Sequence, residues 1–125
     1  MTVVIDSSAL LALIKREPGF DRVYDVINDA VASPVILAET LGKAERFGHE
    51  TDPTEAMLMG AGLRLSDVNI NDIRLVARLH ARKGLSISLA DRFCLALAMR
   101  LSLPVVTADR PWAALGLPVE LRFIR

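Results

Sequence analysis

Four acids stand at positions where a folded chain could put them to chemical use. Asp6 directly follows the β-branched run Val3-Val4-Ile5, and Asp109 lies two residues past Thr107 at the end of Val105-Val106. Glu39 sits in the first turns of a helix opened by Ser33-Pro34, and Asp91 in the first turn opened by Ser88. Singly, each has an ordinary structural use: an Asx turn for Asp6 or Asp109, an i,i+4 pair with Lys43 for Glu39, a capping box with Ser88 for Asp91. Together they are costly, because two carboxylates about 4 Å apart repel by roughly 4 kcal/mol at an effective dielectric of 20. Convergence therefore requires a cation or proton uptake. Oxygen ligands without a Cys or His partner favour Mg²⁺ or Mn²⁺. An ion so held can generate hydroxide, orient it in line with a phosphorus and stabilise the leaving oxygen, which is the chemistry of phosphodiester hydrolysis.

The elements that must bring these acids together follow from apolar spacing and cap signals. Thr2 to Ile5 suits a strand buried on both faces, and Ser7 or Ser8 is expected to cap a helix ending at Pro18-Gly19. Phe20 to Asn28 has helical spacing, Ala30 to Ala32 reads as a short strand, and Ser33-Pro34 starts a helix reaching Phe47. Asp52-Pro53-Thr54-Glu55 predicts a helix capped by Asp52 and lasting to about Leu63. Ser66 to Ile70 reads as a third strand, followed by a helix capped by Asn71 and ending at Gly84. Ser88 opens the most apolar helix, to Leu101; Pro104 to Thr107 is a strand, a short turn holds Trp112, and Val119 to Leu121 is expected as an edge strand. Helices alternating with short apolar strands imply a parallel sheet covered on both faces, whose ligands bind beyond the carboxyl ends of the strands. All four acids then face one end.

At 125 residues, 52% of them hydrophobic and 24% charged, the chain is expected to fold as a single domain over residues 1–125. Fifteen basic and fifteen acidic residues give zero formal charge, so any nucleic-acid contact must rest on a local patch. The apolar stretches fall short of the ~20 residues that span a bilayer, and Met1 leads into Val3-Val4-Ile5 without a basic n-region, so a cytoplasmic location and no membrane association are expected. One cysteine and two histidines cannot supply a thiolate zinc site, and Cys94 in the apolar helix reads as a small core residue. Trp112 reads as packing or a dimer contact.

Four blocks carry a resemblance: Val4-Ile5-Asp6-Ser7-Ser8-Ala9-Leu10-Leu11-Ala12, Leu37-Ala38-Glu39-Thr40-Leu41-Gly42-Lys43, Ser88-Leu89-Ala90-Asp91-Arg92-Phe93-Cys94-Leu95-Ala96-Leu97-Ala98 and Val106-Thr107-Ala108-Asp109-Arg110-Pro111-Trp112. In order and over the whole chain, they resemble the PIN-domain ribonucleases, specifically the VapC toxins of type II toxin-antitoxin systems. The resemblance implies a three-layer α/β/α sandwich with a short, mainly parallel sheet, and a Mg²⁺- or Mn²⁺-dependent endoribonuclease leaving a 3′ hydroxyl and a 5′ phosphate. It implies Asp6, Glu39, Asp91 and Asp109 as the catalytic acidic quartet, with Asp6 and Asp91 the firmest metal ligands and Glu39 and Asp109 ligating directly, through water, or positioning the attacking water. Ser8 and Thr107 match polar positions lining such sites. A VapB-type antitoxin, an RNA substrate and a homodimer are the implied partners.

Beside the acids, Lys43, Arg46, Arg92 and Arg110 are candidate phosphate contacts, and Arg74, Arg78, Arg82 and Lys83 follow a separate helix. The alternatives are a housekeeping PIN nuclease without antitoxin, a silent binding module and a phosphoacceptor receiver domain. A silent module has no need of four mutually repelling carboxylates. A receiver needs a paired acid beside Asp6 and a lysine after the last parallel strand, whereas serines follow Asp6 and no lysine follows Lys83.

Overall fold

Val3–Ile5 forms β1, fully inaccessible to solvent as a β-branched run buried on both faces must be. A computed structural model describes residues 1–125. After β1 come α1 (Ser7–Lys15), α2 (Phe20–Val26), a 3₁₀ turn (Ile27–Asp29), β2 (Ala30–Ala32), α3 (Pro34–Arg46) and α4 (Thr51–Gly60). The chain continues through β3 (Arg64–Leu65), α5 (Ile70–Ala81), α6 (Leu89–Leu101), β4 (Val105–Thr107), a 3₁₀ turn (Arg110–Ala114) and β5 (Leu121–Phe123). The strands make one sheet in the order β3-β2-β1-β4-β5, and every pairing is parallel. Helices pack against this sheet, α6 on β1 and α1 on β4, while α3 touches both α1 and α6.

The connections from β1 to β2 and β3 run outward on one side of β1, and the next crossover returns to place β4 on its other side. The carboxyl ends of β1 and β4 therefore form the point where the strand order reverses, the crevice at which open parallel sheets bind ligands. Asp6 follows β1 and Asp109 follows β4 at that point. The core beneath it joins Val3, Val4 and Ile5 to Leu10, Ile36, Leu95 and Leu97, and Cys94 is buried within it as a small apolar residue.

Several boundaries differ from the expectation. Asp6, not Ser7 or Ser8, caps α1: its backbone is extended and its carboxylate accepts from the Ala9 N–H at 3.0 Å. Helix α4 starts at Thr51 without a side-chain cap, since Pro53 is tolerated within a first turn whose N–H groups need no intrahelical partner. It stops at Gly60, short of Leu63. Strand β3 covers Arg64–Leu65 and not Ser66 to Ile70, because Asn69 closes a capping box with Asp72 and starts α5 at Ile70. That helix ends at Ala81. The last strand is Leu121–Phe123, two residues later than expected, paired with β4. Behind it, Ile124 packs against the α1–α2 turn so closely that a Cβ on Gly19, whose φ is +92°, would lie 2.4 Å from the Ile124 carbonyl oxygen.

Helices α5 and α6 are pinned by an ion pair, Arg100 donating to both oxygens of the buried Asp72 at 2.6 and 3.0 Å and to the Asp67 carbonyl at 3.1 Å. Arg100→Ala leaves that carboxylate buried and unpaired, and we expect a loss of about 3 kcal/mol in urea unfolding. Asp72→Asn combined with Arg100→Met should lose less, because no orphan charge remains.

Candidate active site

Three of the four acids line one opening at the switch point, and Glu39 stands beside it. A cavity of about 270 Å³ is lined by Asp6, Asp91 and Asp109, by Ser7, Ser8 and Ser88, by Lys43, and by Glu17 with its ion-pair partners Lys15 at 3.4 Å and Arg125 at 4.0 Å. Glu39 reaches the same wall: Ser7 Oγ donates to its Oε1 at 2.5 Å, Ser88 Oγ to its Oε2 at 3.4 Å, and Lys43 Nζ stands 3.5 Å away. One carboxylate on α3 is thus tied to the starts of α1 and α6.

Asp6 is the most enclosed of the four, at 1% exposure. Its Oδ1 accepts from Ser8 Oγ at 2.8 Å as well as from Ala9 N, and its Oδ2 accepts from Thr107 Oγ1 at 2.8 Å. Burial pushes its pKa up to about 6 against these hydrogen bonds, with the charge of Asp91 adding to the rise. Asp91 is also raised, first by burial and then by the charges of Glu39 and Asp109, while the Ser88 N–H at 3.0 Å opposes the shift. Asp6 thus feels the charge of Asp91, and Asp91 those of Glu39 and Asp109, as groups close around one cup do. Beneath it, burial and then the charges of Asp6, Asp91 and Glu39 hold the Cys94 thiol well above its ordinary pKa, so it stays neutral.

The candidates for substrate contact divide. Ser8 lines the cavity, but Thr107 is fully buried and its hydroxyl is spent on Asp6 and on the Asp109 N–H at 3.0 Å. Lys43 lines the cavity, whereas Arg92 does not and leaves its Nε buried without a partner. Arg110 turns away: its Nε donates to the Arg125 carbonyl at 2.7 Å and its guanidinium lies 4.7 Å from the centre of the Phe123 ring. It thereby holds the terminal residue, whose own side chain joins the cavity wall. Sequence reasoning missed Lys15 and Arg125 as the basic rim, and Ser7 and Ser88 as supports of Glu39. Only Ser7 had a local signal, its place beside Asp6; the others arrive through tertiary packing. Trp112 is 2% exposed, so its ring is packing and no base can stack on it.

The donor set is chemically suited to a hard divalent cation: carboxylates and hydroxyls alone, with a buried acid whose negative charge the chain itself does not compensate. No group of three or more His, Cys, Asp or Glu side chains is gathered tightly enough to hold an ion as placed. Hydrogen bonds explain the spacing. Glu39 is held back by Ser7 and Ser88, and Asp91 by its capping box.

A family model described as the PIN domain matches residues 3–116. The chain belongs to the PIN-domain family. No curated protein is significantly similar to it in sequence. Among solved structures, this PIN domain is similar to the VapC20 toxin of Mycobacterium tuberculosis, described as cleaving the sarcin-ricin loop, with a TM-score of 0.80 at 18% identity over 97% of this chain and 99% of that one. A toxin-antitoxin complex from Klebsiella pneumoniae gives a TM-score of 0.77 at 18% identity, covering 99% and 98% of the two chains. VapBC2 of Rickettsia felis, bound to a DNA fragment from its promoter, gives 0.76 at 14% identity, covering 98% of each. At these identities the likeness is one of fold. The PIN assignment also displaces the receiver alternative: β3 is an edge strand separated from β1 by β2, so the acid after it, Asp67, lies away from Asp6.

Proposed function

We propose that the chain is a metal-dependent endoribonuclease and the toxin of a type II toxin-antitoxin pair, silenced by a VapB-type antitoxin. What supports this reading is an opening at the switch point of a PIN-domain sheet lined by Asp6, Asp91 and Asp109, with Glu39 beside it, hydrogen-bonded to Ser7 and Ser88 of the same wall. The toxin-antitoxin systems among its structural neighbours support the choice of partner.

Asp6 and Asp91 would hold the ion, with Glu39 and Asp109 completing the set directly or through water. When bound, Mg²⁺ or Mn²⁺ withdraws charge from a phosphoryl oxygen and makes a water acidic enough to attack at neutral pH. The chain's own residues do the positioning. Ser8 and Thr107 fix both oxygens of Asp6, while Ser7 and Ser88 hold Glu39 at the edge of the cup, from which it would turn in toward the ion. Water adds to phosphorus, the P–O3′ bond breaks, the attacking water gives up a proton and the O3′ leaving group gains one, so the products are a 3′ hydroxyl and a 5′ phosphate. Lys15, Lys43 and Arg125, paired with Glu17, Glu39 and Glu17, stand at the rim where the RNA backbone would approach.

A cytoplasmic homodimer goes with this reading. No helix is long and apolar enough to cross a membrane. Ile70, Ile73 and Leu89, exposed by 56, 49 and 57%, offer apolar surface for a second copy. The test is purified protein incubated with total RNA and Mg²⁺, cleavage ends mapped and EDTA as control. Discrete cuts with 5′ phosphates that EDTA prevents are expected; intact RNA under all metal conditions would remove the enzyme assignment.

A further inference from the structure

A second groove, of about 280 Å³, opens between the end of α5 and the 3₁₀ turn after β4. Arg82 and Lys83 edge it, Ile87, Trp112 and Leu115 wall it, and it shares Asp109 with the acidic cup. The two openings therefore meet at Asp109.

The charges leading to it form a pattern. Arg74 and Arg78 stand one turn apart on α5, both exposed, and the exposed Arg82 and Lys83 follow where the chain leaves the helix after Ala81, so four cations lead toward the groove. Neither Arg78, Arg82 nor Lys83 pairs with a carboxylate, and Arg74 meets only the Asn71 amide oxygen at 3.3 Å. Other arginines are matched: Arg64 with Asp29, Arg100 with Asp72, Arg122 with Glu120. The helix dipole favours cations near the end of α5 but gives no reason for Arg74 in its first turns. In a chain of zero formal charge, an unmatched group of like charges works against the fold that carries it. Trp112, 2% exposed, packs behind Ile87 and Leu115 and stiffens this wall.

We propose that this groove and the cations leading to it hold the RNA strand adjoining the bond cut in the cup, a proposal that rests on the ribonuclease reading. Arg74, Arg78, Arg82 and Lys83 meet successive phosphates, and Ile87 and Leu115 give an apolar wall to one unstacked base. The groove thus selects substrates with single-stranded RNA on one side of the cut.

The test reads binding without catalysis. A labelled, mixed-sequence single-stranded RNA is titrated in EDTA against the full chain carrying Asp6→Asn, across a salt series. Two double variants are made in that background: Arg82→Ala/Lys83→Ala in the groove, and Arg64→Ala/Arg122→Ala as an equal loss of charge elsewhere, both checked for an unchanged melting profile. For single strands each phosphate contact adds about 0.7 to the slope of log K against log salt, so the groove variant should lower the slope by about 1.4 and weaken binding roughly twenty-five-fold at ~0.1 M salt. The control pair should do neither. Equal losses in both variants, or none, would overturn the proposal. So would groove variants that keep wild-type RNA affinity but lose binding of polyglutamate, which would make the groove a seat for an acidic polypeptide. Because cleavage plays no part in the readout, failure of the nuclease reading would show separately, as a wild-type chain that binds RNA and never cuts it when Mg²⁺ or Mn²⁺ is supplied.

Discussion

Asp6→Asn should raise the stability of the chain in EDTA above pH 6 while lowering RNA cleavage by at least about a thousandfold, or ~4 kcal/mol of transition-state stabilisation. The two effects have one cause. Burial lifts the Asp6 pKa from 3.8 to about 6, so the folded state holds a proton that the unfolded chain releases at lower pH. Stability from this group is complete below pH 4 and is lost as pH rises through about 6, amounting to roughly 3 kcal/mol. An asparagine stays neutral throughout, and the Ser8 and Thr107 hydroxyls that donate to the carboxylate can rotate to accept from the new amide. Urea midpoints at pH 4, 5, 6 and 7.5 should fall with pH for the wild-type chain more than for the variant. Parallel curves would mean that Asp6 carries no uncompensated charge, and unimpaired cleavage by the variant would remove it from the mechanism.

Adding Mg²⁺ or Mn²⁺ should restore the stability that ionised Asp6 takes away. Ligand binding to the native state alone contributes about 2.7 kcal/mol at one hundred times Kd, which for a chain of this length is a rise in Tm of roughly 10 °C. The rise should shrink toward pH 5, where the ion must displace a proton from Asp6, and should be absent in Asp6→Asn. Glu39→Gln and Asp91→Asn should reduce it, since both face the same cup. Ca²⁺ matching Mn²⁺ in stabilisation but not in cleavage would still place an ion there; no rise with any divalent cation would not.

The parts of this site that the sequence made legible are those set by local chemistry. Ser88 and Asp91 are three residues apart, and the capping box they form is the one observed. Asp6 follows a buried strand, a place visible from the β-branched run alone, although its capping of α1 was not, because Ser7 and Ser8 carry equally good cap chemistry. Glu39 needed the fold, since its partners Ser7 and Ser88 lie 32 and 49 residues away. Thr107 and Arg110 show the same limit in reverse: proximity to Asp109 along the chain suggested substrate contact, but burial commits the first to Asp6, and the C-terminal backbone claims the second. Arg125 reaches the cup through contacts far away in sequence: Ile124 against Gly19, Arg110 donating to the Arg125 carbonyl, and the Arg125 guanidinium donating to the Pro18 carbonyl at 2.9 Å. Strand β3 was misplaced where a cap and a strand competed for the same residues, and the Asn69–Asp72 box won.

Anomalous scattering from crystals grown with Mn²⁺ would locate an ion in the acidic cup without relying on activity. The expected result is a single strong peak, or a close pair, between the carboxylates of Asp6 and Asp91, with Glu39 and Asp109 reaching it directly or through ordered water. Manganese bound only at sites elsewhere on the protein, with those four side chains keeping their present hydrogen bonds, would contradict it.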